Sequence, residues 1–141
     1  MKPEAVYIDY IRVIIAGNRN FKDYEKLKRA CDKLLKNHPN AQIVSGMASG
    51  ADTLGIQYAR ERGLKKHEFP AHWDDIQGKP AHEIGTRRDG TKYWKLAGFA
   101  RNQTMAEFAD ALIAFHNGSS GTADMIKRAK KQGLQIRVIK I

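Results

Sequence analysis

The chain has 141 residues, 42% hydrophobic and 28% charged, with 25 basic and 15 acidic residues giving a net charge of +10. This length and balance fit one folded domain with one ordinary core. They argue against a membrane-spanning protein, since no apolar run nears the ~20 residues a spanning helix needs, and against a disulfide scaffold, since Cys31 is the only cysteine.

Residues 1–11 read as an N-terminal extension, either a tail or a lead into the first strand, ahead of a domain over 12–141. No basic stretch followed by an apolar one opens the chain, so no signal peptide is expected and a cytoplasmic location fits. Residues 12–16 (RVIIA) are β-rich and stop at Gly17, which predicts a strand. Asn18, Arg19, Asn20 and Phe21 form a turn. Over residues 23–37 the apolar positions Leu27, Ala30, Cys31, Leu34 and Leu35 fall at helical spacing, with Asp23 as cap and Pro39 as stop. Cys31 lies on that apolar stripe and reads as a buried structural thiol.

Residues 42–44 predict a second strand and residues 51–62 a helix stopped by Gly63. A third strand is predicted over 65–69, ended by Pro70. Residues 78–96 hold Pro80, Gly85 and Gly90 among mixed charges without helical period, and read as an excursion or lid of the kind that is functional or mobile. A helix returns over 100–108, then a strand over 111–115, a helix over 122–132 and a last strand over 135–139.

Strands alternating with helices predict an α/β fold, a Rossmann-like parallel sheet flanked by helices on both faces. Ligands of such sheets bind outside the carboxyl ends of the strands, where strand order reverses. The turns after the first four sheet strands all fall at that edge. Two of them are rich in glycine, and each joins a short apolar run to a helix start. One contains Ser45, Gly46, Gly50 and Asp52; the other contains Gly118, Ser119, Ser120, Gly121 and Thr122. Glycines admit close approach of the backbone, and the first helical N–H groups are unpaired. Together the turns predict a phosphate-bearing ligand between them. The basic excess, concentrated in Lys127, Arg128, Lys130, Lys131, Arg137 and Lys140 with no acid after residue 126, also favours anionic partners.

Familiar catalytic signatures are absent. There is no G-x-x-x-x-G-K-[ST] loop, no G-x-G-x-x-G fingerprint and no G-x-S-x-G elbow. His67, His72 and His82 lie near Glu68, Asp74, Asp75 and Glu83 without the spacing of a zinc site, so neither metal nor cofactor is expected.

Five ordered motifs are more specific: RVIIAGNRNF (12–21), SGMASGADTL (45–54), FPAHW (69–73), AGFARNQTM (97–105) and FHNGSSGTADMI (115–126). In this order they closely resemble the YspA-type, YpsA-related branch of the SLOG superfamily, over residues 12–141. The resemblance implies a Rossmann-like domain that binds nucleotides or nucleotide-derived ligands, common in bacteria and their phages. Relatives include the LOG phosphoribohydrolases, the DNA-uptake protein DprA and domains that sense NAD or ADP-ribose. The resemblance further implies a homodimer, and the lack of a long apolar run predicts no membrane partner.

The 118–122 turn is similar to the LOG loop P-G-G-x-G-T that holds a phosphate; otherwise it is a plain connection capped by Thr122. Asp52 either bonds a ribose hydroxyl or caps its helix. Arg101 and Asn102, followed by Met105, are similar to the R-K-x-x-M of LOG enzymes, whose arginine is catalytic; a surface ion pair is the other reading. In the Gly17-Asn18-Arg19 turn at the ligand edge, Gly17 is a ligand-binding candidate, Arg19 a phosphate ligand by position and Asn18 a ligand or a turn-shaping residue; Trp73 is a base-stacking platform or a core plug. LOG enzymes place a catalytic glutamate three residues after the threonine, where this chain has Met125. Asp124 is adjacent, but one helical residue is ~100° of rotation. Asp52, Asp74 or Asp75 would have to supply the acid. Three function classes stay open, in this order: a nucleotide or ADP-ribose-like binding module, an N-glycosidase using Arg101 and Asp52, and a single-stranded DNA binder.

Overall fold

The computed structural model describes residues 10–141. Residues 1–9 of the expected N-terminal extension lie outside the described residues. The sheet is built on two central strands, β1 (Arg12–Gly17) and β6 (Ala111–His116), whose interiors are buried throughout. Continuous apolar strands of this kind need cover on both faces. Side chains alternate across a strand, so Val13 and Ile15 face one way with Ile113 and Phe115. Ile14 and Ala16 face the other way with Leu112 and Ala114.

The first face is covered by α1 (Tyr24–Leu34) and α2 (Ala51–Arg62), through Leu27, Cys31, Tyr58 and Ala59. The second is covered by α3 (Ala97–Phe108) and α4 (Ser120–Lys131), through Met105, Ala106, Met125 and Ala129. With β2 (Gln42–Ser45), β3 (Lys66–Glu68) and β7 (Gln135–Lys140), the sheet has the order β3-β2-β1-β6-β7, and every pairing is parallel. The predicted parallel sheet with helices on both faces is the observed one. No described helix is long and apolar enough to cross a membrane.

Local signals mostly act where they were read. Asp23 caps α1 by accepting from the Lys26 N–H at 3.1 Å. Gly63 ends α2 in the left-handed conformation, with the Leu64 N–H reaching back to the Ala59 carbonyl at 2.8 Å. Helix α1 stops three residues before the predicted end, because turns closed by His38 N–H to Leu35 O and Ala41 N–H to His38 O return the chain to β2. Helices α3 and α4 begin three and two residues earlier than predicted. Cys31 is fully buried, as the stripe required, and burial pushes its thiol up to about 12.

The segment 78–96 departs from the irregular excursion read from sequence. A 3₁₀ turn (Ala81–Glu83) leads into an antiparallel hairpin of β4 (Ile84–Thr86) and β5 (Lys92–Trp94). The turn closes through Arg87 N–H to Thr91 O at 2.8 Å and Gly90 N–H to Arg87 O at 3.0 Å, with Gly90 at φ 86°. That is a three-residue hairpin loop with glycine in the left-handed position. The hairpin is tied to the 70–75 loop by the Trp94 N–H to Trp73 O bond at 2.7 Å and by an Arg87–Asp74 ion pair at 3.0 Å. It therefore stands as an ordered wall beside the C-terminal edge of the sheet.

Candidate functional site

From β1 the chain passes through α1 to β2 on one side; from β6 it passes through α4 to β7 on the other. This reversal opens a crevice between the C-terminal ends of β1 and β6. Its floor is stitched by asparagines. The Asn18 side-chain amide donates to Asn117 Oδ1, and the Asn117 N–H donates to Asn18 Oδ1 at 3.3 Å. The Asn18 carbonyl accepts the N–H groups of Phe21 and Ala51, both at 3.2 Å. Asn18 thus shapes the turn.

A cleft of about 420 Å³ occupies the crevice. Gly17, Asn18 and Arg19 line it from the β1 loop, and Ser119, Ser120, Gly121 and Thr122 from the β6 loop. Asp52, Trp73, Arg101 and Asn102 line it from the remaining elements. Eleven of the fifteen residues singled out in the sequence therefore meet around one space. Ser45, Gly46, Gly50 and Gly118 are absent from this lining.

The 45–52 turn is closed on itself. Ser45 is fully buried; its hydroxyl donates to Asp52 O at 3.1 Å and accepts the Met47 N–H at 3.2 Å. The Ala48 N–H donates to Asp52 Oδ2 at 3.3 Å. Gly50, at φ 77°, lies so close to the β1 loop that a Cβ there would meet Asn18 O at 2.2 Å. The Met47 and Ala48 N–H groups are thus used inside the turn rather than offered to a ligand.

The 117–122 turn is different. Helix α4 starts after Ser119, whose side chain caps no N–H; its hydroxyl donates instead to Thr122 Oγ1 at 2.8 Å. A Cβ at Gly121 would meet nothing within 4 Å. The N-terminal end of α4, with its partial positive charge, faces the cleft uncapped. The reading of Thr122 as the cap is superseded: Ser119 holds that position, and Thr122 lies buried within the first turn.

Arg101, on the first turns of α3, lies against Gly46. A Cβ on Gly46 would stand 2.5 Å from Arg101 Nη1 and 2.8 Å from Asp52 Oδ2, so only glycine leaves room for the guanidinium. Arg101 donates to the Gly46 carbonyl, and through Nε to Asn102 Oδ1 at 3.2 Å. Asn102 in turn donates to Asp124 Oδ2 at 3.0 Å, joining α3 to α4. Burial lowers the Arg101 pKa, the Asp52 charge opposing this. Burial pushes the Asp52 carboxyl up to about 6, against the pull of Arg101, the Ala48 N–H and Arg19.

Met125 lines the cleft, whereas Asp124 is held outside it by Asn102 and by Arg128 at 2.8 Å. The rotation argument from sequence matches this placement. Asp74 pairs with Arg87 on the hairpin side and Asp75 with Lys79 at 3.7 Å. The C-terminal basic run is also mostly elsewhere. Arg128, Lys130 and Lys131 fill the last turn of α4, at the opposite edge of the sheet, where cations offset the helix dipole. The cations at the cleft are Arg19, Lys95 and Arg101.

Sequence reasoning passed over Phe99 and met Lys95 only as part of the basic excursion over the ligand; both line the cleft. Lys95 arrives with the hairpin, whose Asp89-Gly90 turn was a usable signal. Phe99 is 37% exposed, unusual for an aromatic on a helix, and nothing in the apolar spacing sets it apart from a core residue.

The described fold is shared with DNA processing protein A. The Streptococcus pneumoniae protein superposes with a TM-score of 0.66 at 20% identity, over 92% of this chain and 50% of that one. The Helicobacter pylori protein, described for its single-stranded DNA binding mode, gives 0.62 at 22% identity, over 91% and 64%. The protein TM1055 gives 0.57 at 19% identity, over 92% and 72%. The chain thus spans half to two thirds of the DNA processing proteins, and the likeness is one of fold. No curated protein matches the sequence significantly. Residues 11–75 match the family model for the YspA, cpYpsA-related SLOG family. Three of the five sequence motifs fall inside that stretch, so over residues 11–75 the chain is similar to the YspA, cpYpsA-related SLOG family.

Proposed function

We propose that the protein binds a nucleoside phosphate at the switch-point cleft and holds it without cleaving it. The observation that carries this reading is the uncapped N-terminus of α4 opening into a cleft flanked by Arg19 and Arg101. Helix N-terminal N–H groups and guanidinium groups are complementary to phosphate oxygens. Gly121 and Ser120 bring the backbone to the ligand, and Thr122, with its hydroxyl bonded to Ser119, braces the turn. Asp52 sits behind Arg101 and, through Ala48 and Gly46, holds the wall against which the guanidinium lies. Asn102 fixes the distance between α3 and α4. The same site on a second copy would make a homodimer, in keeping with the resemblance, a two-site assembly; light scattering that returned the mass of a single chain would remove that part.

N-glycosidic hydrolysis is the second reading, and Asp52 is the observation in its favour. Its carboxyl lines the cleft and titrates at about 6, in the range suited to a general acid. Against it, Met125 occupies the face where the LOG resemblance calls for a glutamate, and one Asp52 oxygen is committed to the Ala48 N–H.

The test is calorimetric titration with the four common nucleoside monophosphates and their parent nucleosides, followed by chromatography of the same samples. We expect at least one monophosphate to bind more tightly than its nucleoside by about tenfold or more, the scale of a charge-assisted phosphate contact. Released base would replace the binding module with a hydrolase. Equal affinity for nucleoside and monophosphate would remove the phosphate site.

A further inference from the structure

The switch-point cleft does not end at Arg101. On the far side of Arg19, Lys95 and Arg101 a second space of about 890 Å³ opens between the 46–49 turn, the 70–73 loop and the hairpin. Arg19, Ala48, Trp73, Lys95 and Arg101 line both spaces, so the two are continuous across a cationic ridge. A nucleotide-sized ligand is satisfied by a few hundred Å³, the lower part of the range for ligand sites. The first cleft meets that need alone, which leaves the second without an occupant.

The second space has its own chemistry. Trp73 and Tyr93 line one wall, with ring centroids 6.4 Å apart and planes inclined by 59°. Neither ring is a core plug. Trp73 rests its edge on α3 at Gly98, where a Cβ would stand 3.2 Å from its Cη2, and Tyr93 lies across Gly85 of the paired strand. Each stays half-buried beside the space. Arg87 and Lys95 add positive charge, and no Asp or Glu is among the described residues lining it. No acid pairs with Arg19 or Lys95 among the described residues. The first cleft carries a separate aromatic, the exposed Phe99.

The order along the groove is therefore aromatic, cations, aromatics. We propose, building on the nucleotide reading of the first cleft, that the ligand is a dinucleotide: two nucleosides joined through a phosphate bridge. One base lies by Phe99 in the switch-point cleft, the phosphate bridge runs from the α4 N-terminus over Arg19, Lys95 and Arg101, and the second base stacks on Trp73 and Tyr93. The hairpin β4–β5 is then the second-base subsite.

The experiment is calorimetry of the full chain and of Tyr93→Ala and Tyr93→Phe, with AMP, diadenosine diphosphate, NAD and a thymidine oligonucleotide. The dinucleotides are expected to bind the native chain about tenfold more tightly than AMP, as loss of one stacked base predicts. Tyr93→Ala erases that advantage, Tyr93→Phe keeps it, and both bind AMP as the native chain does, which also reports that they are folded. Equal affinity for AMP and the dinucleotides, with Tyr93→Ala inert, overturns the second subsite and leaves the nucleotide reading standing. Binding of neither AMP nor dinucleotide removes the nucleotide reading itself. Binding of the oligonucleotide alone assigns the groove to a polynucleotide and overturns the proposal.

Discussion

Asp52 offers a quantitative check on the electrostatics of the cleft. Its side chain is 6% exposed and titrates at about 6, whereas a carboxyl in the unfolded chain titrates near 3.9. Between those two values the folded state holds the proton and the unfolded state does not. Stability contributed by Asp52 is therefore full at low pH and falls as pH rises through this window. At 1.36 kcal/mol per pKa step the fall is about 3 kcal/mol. Asp32, Glu61, Glu68 and Asp89 are all lowered in the fold and act with the opposite sign. The informative quantity is thus the stability of the native chain minus that of Asp52→Asn at each pH. Asparagine keeps an oxygen for the Ala48 N–H while removing the charge. Urea unfolding followed by circular dichroism between about pH 4 and pH 8 should show this difference falling by about 3 kcal/mol and levelling above about pH 7. A difference that rises with pH would mean that Arg101 and Arg19 stabilise the carboxylate more than burial penalises it, and would refute the reasoning.

Other predictions rest on single contacts. Gly46→Ala places a Cβ 2.5 Å from Arg101 Nη1; thermal unfolding should register a loss of about 1–3 kcal/mol, the usual effect of overpacking, together with weaker nucleotide binding. Gly121→Asp enters open space at the start of α4, so stability should hold or rise by up to ~1 kcal/mol while phosphate binding is lost to the new negative charge. Retained affinity in that variant would place the phosphate elsewhere. Cys31 is buried with its thiol pushed up to about 12, so an aromatic disulfide reagent at neutral pH should label it only after denaturation. Leu112→Ala, at 1% exposure between α3 and α4, should cost about 2–5 kcal/mol in denaturant unfolding.

The α/β fold was legible because its strongest signals are local and agree with one another. An apolar run such as 12–16 has no stable alternative to a buried strand, and Asp23 and Gly63 mark helix ends by side-chain and backbone chemistry that acts within four residues. The hairpin was less legible. Its strands are three residues each, too short for alternation to stand out against Arg87, Arg88, Asp89 and Lys92. The gathering of Arg19, Arg101 and the 119–122 turn followed from topology, since every βα turn of a parallel sheet ends at one edge. Which glycine turn stays open did not follow. Both have similar composition, and the difference lies in the Ser45 hydroxyl and the Asp52 carboxyl folding back on one of them. The charge pattern misled for a related reason: the basic residues closest in sequence, Arg128 to Lys131, finish a helix that runs away from the cleft.

In the proposed function the α4 N-terminus receives a phosphate. Amide NMR of the isotopically labelled chain tests it most directly, with inorganic phosphate and then a nucleoside monophosphate titrated in. The account predicts that the backbone N–H signals of Ser120, Gly121 and Thr122 and the side-chain signal of Arg101 move together and saturate. Shifts confined to the basic far end of α4 and to β7, with the 120–122 amides unmoved, would contradict it.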